Sequence, residues 1–280
     1  MTVIPILRYH SVTDHPESWI APYAVSPDKF IDHLRLIITC RRTPMTVSEV
    51  VSHLESGQKL PERPVVLTFD DGFADFAPVA ERLAALEMPS TLYVITGALS
   101  GREPRGAEAA IRPASWLSWS QLRALETLGV EIGSHSHTHS QLDVLGWHDV
   151  FNETRVSAAL LEDELGHAIT SFAYPHGFHS ARTRRAVASA GYRSACAVEN
   201  ALSSDSDEVQ ALARLTVKAD TSLTQVGEWL NDRGAPIAPV AQRLRTSAWR
   251  WYRRFHGPGS DSDVFPAQSH HPNPVSQLSK

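Results

Sequence analysis

The chain has 280 residues, 42% hydrophobic and 20% charged, so it can bury a full core and is neither disordered throughout nor fibrous. Its formal net charge of −5 gives no general attraction for nucleic acid phosphates, and we expect no nucleic acid partner. Two cysteines, Cys40 and Cys196, are too few for a thiolate metal site, whereas fourteen histidines offer many imidazole ligands.

The first ten residues hold a short apolar run without a basic n-region or a small-residue cleavage site. They do not indicate a secretory signal. No stretch reaches the roughly 20 apolar residues that a membrane span needs. The cytoplasm is therefore the expected location.

Short apolar runs alternate with helix-period segments up to about Trp229, the pattern of repeated βα units around a parallel sheet. Strands are predicted at 3–7, 65–69, 91–95, 130–133, 171–174, 194–198 and 212–217. Helices are predicted from the Ser26-Pro27 cap onward and at 73–86, 120–128, 148–165, 181–190 and 223–230. Residues 101–113 have no period and are interpreted as an excursion over the strand ends that helps to shape a cleft.

Seven or eight strands with intervening helices predict one α/β domain over residues 1–235, a closed or nearly closed (β/α) barrel, with an open doubly wound sheet as the alternative. Residues 236–256 combine arginines with aromatic side chains. This segment either packs on the barrel as a terminal helix or lies on an anionic membrane surface as a peripheral contact. Residues 257–280, rich in Ser, Pro, His and Asp, are predicted to be disordered. The oligomeric state does not follow from the sequence.

Two adjacent acids, Asp70 and Asp71, follow the strongest predicted strand in the run Thr-Phe-Asp-Asp-Gly. This is the edge where parallel α/β folds build their sites. Neighbouring carboxylates repel, so a cation, or a division between metal binding and proton transfer, would explain the pair. The alternative is an Asp-Gly turn that caps the next helix.

Three histidines, His135, His137 and His139, follow the strand near residue 130. If the chain turns helical there, His135 and His139 lie one turn apart on one face and His137 points elsewhere. Asp71, His135 and His139 would then supply three ligands to one zinc ion and leave a fourth position for water. A third cluster, Phe172 to Gly177, contains a proline and a glycine and predicts a tight strand-ending turn that can aim a backbone N–H into the cleft.

These three clusters, in this order, resemble the polysaccharide deacetylase family, the NodB-homology domain of carbohydrate esterase family 4. Asp70 and Asp71 match its TFDDG acids, and His135 and His139 match its H-[ST]-x-x-H pair. The resemblance covers about residues 3–230 and includes Tyr9-His10, the Trp119 to Leu125 run and Ala190-Gly191-Tyr192. The Tyr9-His10 pair is similar to the N-terminal motif of the poly-N-acetylglucosamine deacetylase branch.

The resemblance implies a distorted (β/α) barrel of the NodB type. It further implies hydrolysis of the N-acetyl group of an amino sugar, in a polysaccharide or its lipid-linked precursor. Asp71, His135 and His139 would bind zinc, with cobalt or nickel as other divalent candidates. Asp70 would act as general base on a water made acidic by the metal.

The same resemblance assigns substrate contacts to Tyr174 and Pro175 and the oxyanion-binding N–H to His176. Two departures stand out. Many members have an arginine where this chain has Ala173 and a tyrosine where it has His176, so the usual orienting partner of the base is missing. Arg214 is the candidate replacement, with an ordinary surface arginine as the alternative.

The late Leu-x-His motif that supplies the catalytic acid in many members is not found between residues 209 and 217. The resemblance to the poly-N-acetylglucosamine branch makes His10 the first candidate for the acid and His176 the second; a histidine capping a strand end is the alternative for His10. Two other functions stay open. His135 and His137 also resemble the metal pair of amidohydrolases acting on cyclic amides, and a metal-bearing barrel without turnover would be a glycan-binding protein.

Overall fold

The computed structural model describes residues 1–99 and 116–240. Its strands, numbered in chain order, are β1 Val3–Ile4, β2 Ile6–Tyr9, β3 Ser11–Val12, β4 Ala24–Val25, β5 Thr43–Met45, β6 Pro64–Phe69, β7 Ser90–Val94, β8 Val130–Ser134, β9 Ser171–Ala173, β10 Ser194–Cys196, β11 Ser203–Ser204 and β12 Leu215–Thr216. The predicted run at 3–7 is split by Pro5, which has no N–H to donate to a ladder.

The helices are α1 Pro27–Thr39, α2 Val47–Ser56, α3 Phe76–Ala84, α4 Trp119–Glu126, α5 Trp147–Leu165, α6 Ala181–Ser189 and α7 Leu223–Trp229. Helix α1 starts as predicted, because the Ser26 side chain accepts a hydrogen bond from the Lys29 N–H and a proline occupies the first position. It buries Phe30, Leu34 and Ile37, spaced to line one face.

Seven strands form a parallel path in the order β10-β9-β8-β7-β6-β2-β12, and β5 pairs with the start of β6. The two ends of this path meet in a parallel bridge between Cys196 and Leu212, three residues before β12. The sheet therefore curls into a distorted, incompletely closed barrel, which confirms the predicted fold class and excludes the open doubly wound alternative. Strand β6 is buried along its whole length, as predicted for a strand covered on both faces.

All strands of the path run parallel, so their carboxyl ends reach one rim of the barrel. In the register, Leu7 of β2 lies level with Leu67 of β6 and with Leu215 of β12. Strand β2 thus separates the strand that precedes the acid pair from the strand that follows Arg214. Residues from distant parts of the chain face one another across β2 at this rim.

Cys40 and Cys196 are both free thiols. No helix among residues 1–99 and 116–240 is long and apolar enough to cross a membrane. The excursion predicted at 101–113 lies outside the described residues, as do most of the basic aromatic segment and the whole of 257–280. The 1–235, 236–256 and 257–280 division, the cytoplasmic location and the membrane contact stay predictions.

Candidate active site

The predicted site residues meet at the carboxyl rim of the barrel. Asp70 and Asp71 follow β6, the run from His135 to His139 follows β8, and His10 follows β2. One oxygen of Asp71 and one nitrogen each of His135 and His139 lie within 4.8 Å of one another, and all three residues are buried. The Asp71 Oδ1 atom is 3.5 Å from Nε2 of His135 and 3.6 Å from Nε2 of His139.

The two histidines converge through a turn, and the prediction of a helical turn after β8 is wrong. Ser136 and His139 have φ angles of 65° and 59°, which are left-handed and incompatible with an α-helix. The ring centroids of His135 and His139 are 4.9 Å apart. The Nδ1 atom of His137 lies 2.8 Å from Oγ1 of Thr96, so this imidazole is not among the three converging groups.

His135 is held in one tautomer. Its Nδ1 atom is 2.8 Å from the carbonyl oxygen of Ala173, which can only accept, so Nδ1 carries the proton and Nε2 presents its lone pair to Asp71. Burial, helped by the charges of Arg214 and Arg8 against an opposing charge on Asp70, lowers the pKa of His135 to about 4. The imidazole is therefore neutral at pH 7, as a metal ligand must be.

Asp71 fits a cation. Both of its carboxylate oxygens are buried, and no described residue donates a hydrogen bond to either. Burial, with the adjacent negative charge of Asp70, raises the pKa of Asp71 well above its usual range. An unpartnered buried carboxylate is costly, and one oxygen with two imidazole nitrogens is a ligand set typical of divalent zinc, cobalt or nickel. The residues present thus suit a divalent transition-metal ion.

Asp70 is paired with a guanidinium from the far end of the chain. Arg214 Nη1 and Nη2 donate to Oδ1 and Oδ2 of Asp70 at 2.6 and 2.9 Å, a two-point pair. Arg214 is fully buried, so the surface alternative is wrong; it also donates to the carbonyl of Ala197. Although burial would raise the pKa of Asp70, the charges of Arg214 and Arg8, with the hydrogen bonds from Arg214, outweigh it and hold the pKa below its usual range.

Arg8 is a site residue that the sequence patterns did not predict. It lies in β2 with 3% exposure, its Nη1 is 3.7 Å from Oδ2 of Asp70, and its Nη2 donates to Thr216 Oγ1 at 2.9 Å. Burial lowers the pKa of Arg8 to about 10 despite the opposing effect of Asp70, and the group stays charged at pH 7. The available signal was a single charged residue inside an apolar strand, because a buried arginine is almost always paired with an acid.

Left-handed backbone is concentrated at the site. Among the described residues, nine non-glycine residues have positive φ, and four of them are Asp71 at 81°, Ser136, His139 and His176 at 58°. Such conformations are costly for side chains with a Cβ and persist where the surrounding structure imposes them. The direction of the site residues is therefore set by tertiary contacts.

His10 and His176 follow different strands of the barrel, β2 and β9. His10 is 9% exposed, and its ring centroid is 5.0 Å from that of Tyr23. Within residues 1–99 and 116–240, its Nδ1 has no hydrogen-bond partner. Burial, with the charge of Arg8, lowers the pKa of His10 well below its usual value. His176 lies in the short helical turn Pro175–Gly177. The centroid of its ring is 4.5 Å from that of the His139 ring.

The turn at Pro175–Gly177 requires its glycine, because a Cβ on Gly177 would lie 2.3 Å from Cβ of Val198. Tyr174 is fully buried, and its hydroxyl donates to the carbonyl of Gln210 at 2.9 Å. The Pro175 side chain is buried as well. Both side chains are therefore buried, and the substrate contacts expected of Tyr174 and Pro175 stay a prediction.

Comparison with known proteins agrees with this architecture. The polysaccharide deacetylase family model matches residues 57–195. YxkH of Bacillus subtilis strain 168, whose own assignment as a polysaccharide deacetylase is provisional, is 23% identical over 228 residues, 81% of this chain and 76% of YxkH.

Two solved structures share the fold at a TM-score of 0.70 and 22% identity. The deacetylase PplD of Streptococcus pyogenes, in complex with acetate, matches over 80% of this chain and 96% of its own. IcaB from Ammonifex degensii matches over 82% of this chain and 97% of its own. Both likenesses support the NodB-type barrel.

Proposed function

We propose that this chain, which belongs to the polysaccharide deacetylase family, uses a zinc ion to remove N-acetyl groups from glycans, the reaction of its family. The acetate would come from amino sugars of a polysaccharide or its lipid-linked precursor. One observation carries the proposal: Asp71, His135 and His139 converge in a buried group beside a separate carboxylate, Asp70, that is held by Arg214. Ligand and base are thus different side chains at one rim.

The three ligand residues divide the work of holding a cation. Asp71 contributes the negative charge, and the imidazoles of His135 and His139 each contribute a nitrogen. A divalent ion bound there would acidify a water molecule and polarise the acetyl carbonyl. Zinc is our first choice, and cobalt or nickel would satisfy the same ligand set.

Asp70 takes the proton of the attacking water in this scheme. Its Oδ2 atom lies 3.9 Å from Nε2 of His135, so this oxygen faces the ligand group. The pair with Arg214 keeps Asp70 ionised and fixes its direction, at the cost of basicity. A weak base suffices because the water is already acidic.

The amine leaving group must gain a proton as its C–N bond breaks, and we assign this step to His10, with His176 as the second candidate. The lowered pKa of His10 means that it is neutral before reaction, so it can donate only after it has received a proton within the site. The backbone N–H of His176 is the proposed partner of the developing oxyanion. The left-handed conformation of His176, in the turn before Gly177, would direct this N–H toward the oxyanion.

The amidohydrolase alternative requires His137 at the metal, whereas this imidazole contacts Thr96. We expect His137→Ala to retain zinc and most of its activity. Loss of metal from that variant would favour the amidohydrolase.

The decisive test measures acetate release from chitooligosaccharides and from β-1,6-linked N-acetylglucosamine oligomers, with zinc and with a chelator. We expect the wild type to release acetate only with metal, and Asp70→Asn to lose activity by at least about 100-fold, the lower end of the range for general acid–base catalysis, while still binding zinc. Equal rates for the two proteins would remove Asp70 as the base. Glycan binding without acetate release by the wild type would favour the glycan-binding alternative.

A further inference from the structure

Glu153 of α5 holds the backbone of the histidine loop, residues 135–139. Its Oε2 accepts hydrogen bonds from the successive N–H groups of His137 and Thr138 at 3.0 and 2.8 Å. Its Oε1 accepts from the hydroxyl of Thr138 at 2.6 Å. Two successive N–H groups pointing at one oxygen form an anion-binding concavity, here filled by a side chain of the same protein.

Every backbone N–H of the loop donates a hydrogen bond, and Glu153 is the acceptor that belongs to a helix. The His135 N–H donates to the Val94 carbonyl at 2.9 Å within the sheet. Those of Ser136 and His139 donate to nearby hydroxyls, of Ser134 at 3.2 Å and of Ser136 at 3.0 Å. The two remaining N–H groups, in the middle of the loop, are bound by Glu153.

The loop needs an external tie because it contains two left-handed residues. Ser136 and His139 flank the segment held by Glu153, and both have unfavourable positive φ angles. The direction of the His139 imidazole depends on this backbone, because His139 is itself one of the two left-handed residues. Helix α5 is anchored beside the loop, one turn further on, where Ser157 Oγ lies 2.7 Å from Ser134 Oγ.

We propose that Glu153 is a positioning residue for the metal site: it fixes the loop so that His139 and His135 present their nitrogens to Asp71, without touching metal or substrate itself. The inference rests on the proposed function, because it takes both histidines as ligands. Partners that orient metal ligands contribute about 10–100-fold to metal affinity.

The test is zinc affinity, measured by competition with a chromogenic chelator, together with the visible absorption spectrum of the cobalt-loaded protein. We expect Glu153→Ala to bind zinc about 10–100-fold more weakly and to show an altered cobalt spectrum. Glu153→Gln keeps an oxygen that can accept both N–H groups, so we expect it to rescue affinity to within a few-fold of wild type.

Glu164→Ala is the matched control, since Glu164 lies on the same helix and pairs with Arg123 at the surface. We expect wild-type affinity and an unchanged spectrum. Thermal unfolding of the metal-free proteins reports any purely structural effect, which would lower the midpoint of Glu153→Ala without altering the cobalt spectrum.

A folded Glu153→Ala protein with wild-type zinc affinity and cobalt spectrum would overturn the inference. If that variant does not fold, Glu153→Asp, whose carboxylate is one methylene shorter, takes its place under the same criterion. A wild-type protein that binds neither metal would instead refute the proposed function, so the two failures are distinguishable.

Discussion

Glu131 lies near the start of β8 and Asp71 just beyond the end of β6, so these two carboxylates lie at opposite ends of the parallel sheet. Burial raises the pKa of both. Both oxygens of Glu131 accept hydrogen bonds, from the hydroxyl and N–H of Ser48 and from Thr91 Oγ1 at 2.7 Å. Neither oxygen of Asp71 accepts one from the part of the chain that the structure describes.

The difference separates a structural carboxylate from one suited to a ligand. Glu131 joins the start of α2 to β7 and β8, and its polar atoms are satisfied by the fold itself. The Asp71 oxygens accept no hydrogen bond from a described residue, and a buried carboxylate in that state is costly unless a cation supplies the missing interaction. A buried carboxylate with neither oxygen hydrogen-bonded to a described residue is thus the feature that distinguishes Asp71 at the carboxyl rim from Glu131.

Arg214→Met should have the largest effect, because it would remove the two-point partner of the buried Asp70 carboxylate and leave the more distant Arg8 Nη1 at 3.7 Å. Removing one partner of a buried ion pair costs about 3–5 kcal/mol, and we expect that loss in the free energy of unfolding measured by urea denaturation. The double variant Asp70→Asn with Arg214→Met should regain part of the lost stability but no activity. Additive losses in the double-mutant cycle would contradict the coupling between the two residues.

Asp71→Asn should separate binding from stability. We expect zinc affinity to fall by at least about 100-fold, which is the upper limit for residues that only orient a metal ligand. We also expect acetate release to be lost. The metal-free variant should be at least as stable as the metal-free wild type, because the substitution removes a buried carboxylate whose oxygens accept no hydrogen bond from a described residue. Calorimetry of the metal-free proteins, next to chelator competition, measures both; a large loss of stability would show that Asp71 is structural, as Glu131 is.

Glu131→Gln should have the smallest effect and leave zinc affinity unchanged. Because the pKa of Glu131 is raised, the folded protein keeps a proton that the unfolded chain has lost above about pH 4.5. Unfolding then releases a proton, so the contribution of Glu131 to the free energy of unfolding falls as pH rises above that value. The glutamine variant lacks this titration, so its stability should improve relative to wild type as pH rises; a constant difference across pH would contradict the prediction.

Much of the barrel follows from local patterns. Strands such as β6 and β7 are apolar and flanked by turn residues, and their predicted bounds agree with the structure to within one residue. Helix α2 was not predicted, although Thr46 and Glu49 form a capping box and Val47, Val50 and Val51 have helical spacing. That signal was present and overlooked.

Other features had no local signal. Strand β5 is three residues long and includes a proline, so pairing with β6 defines it more than propensity does. The Glu153 contact joins α5 to a loop more than a dozen residues earlier, and no helical pattern marks it. The conformation of the histidine loop likewise depends on these ties, which is why a helical extrapolation from its spacing failed.

The sequence by itself determined the alternation of strands and helices and placed Asp70, Asp71, His135 and His139 at strand ends, because hydrophobic period and chain order are local properties. Only the tertiary structure decided which carboxylate was paired and which was left open. Arg214 reaches Asp70 across 144 residues of chain because β12 and β6 flank β2 in the sheet. Hydrogen-bond satisfaction and burial depend on neighbours that folding brings together, and those neighbours distinguish the proposed base from the proposed ligand.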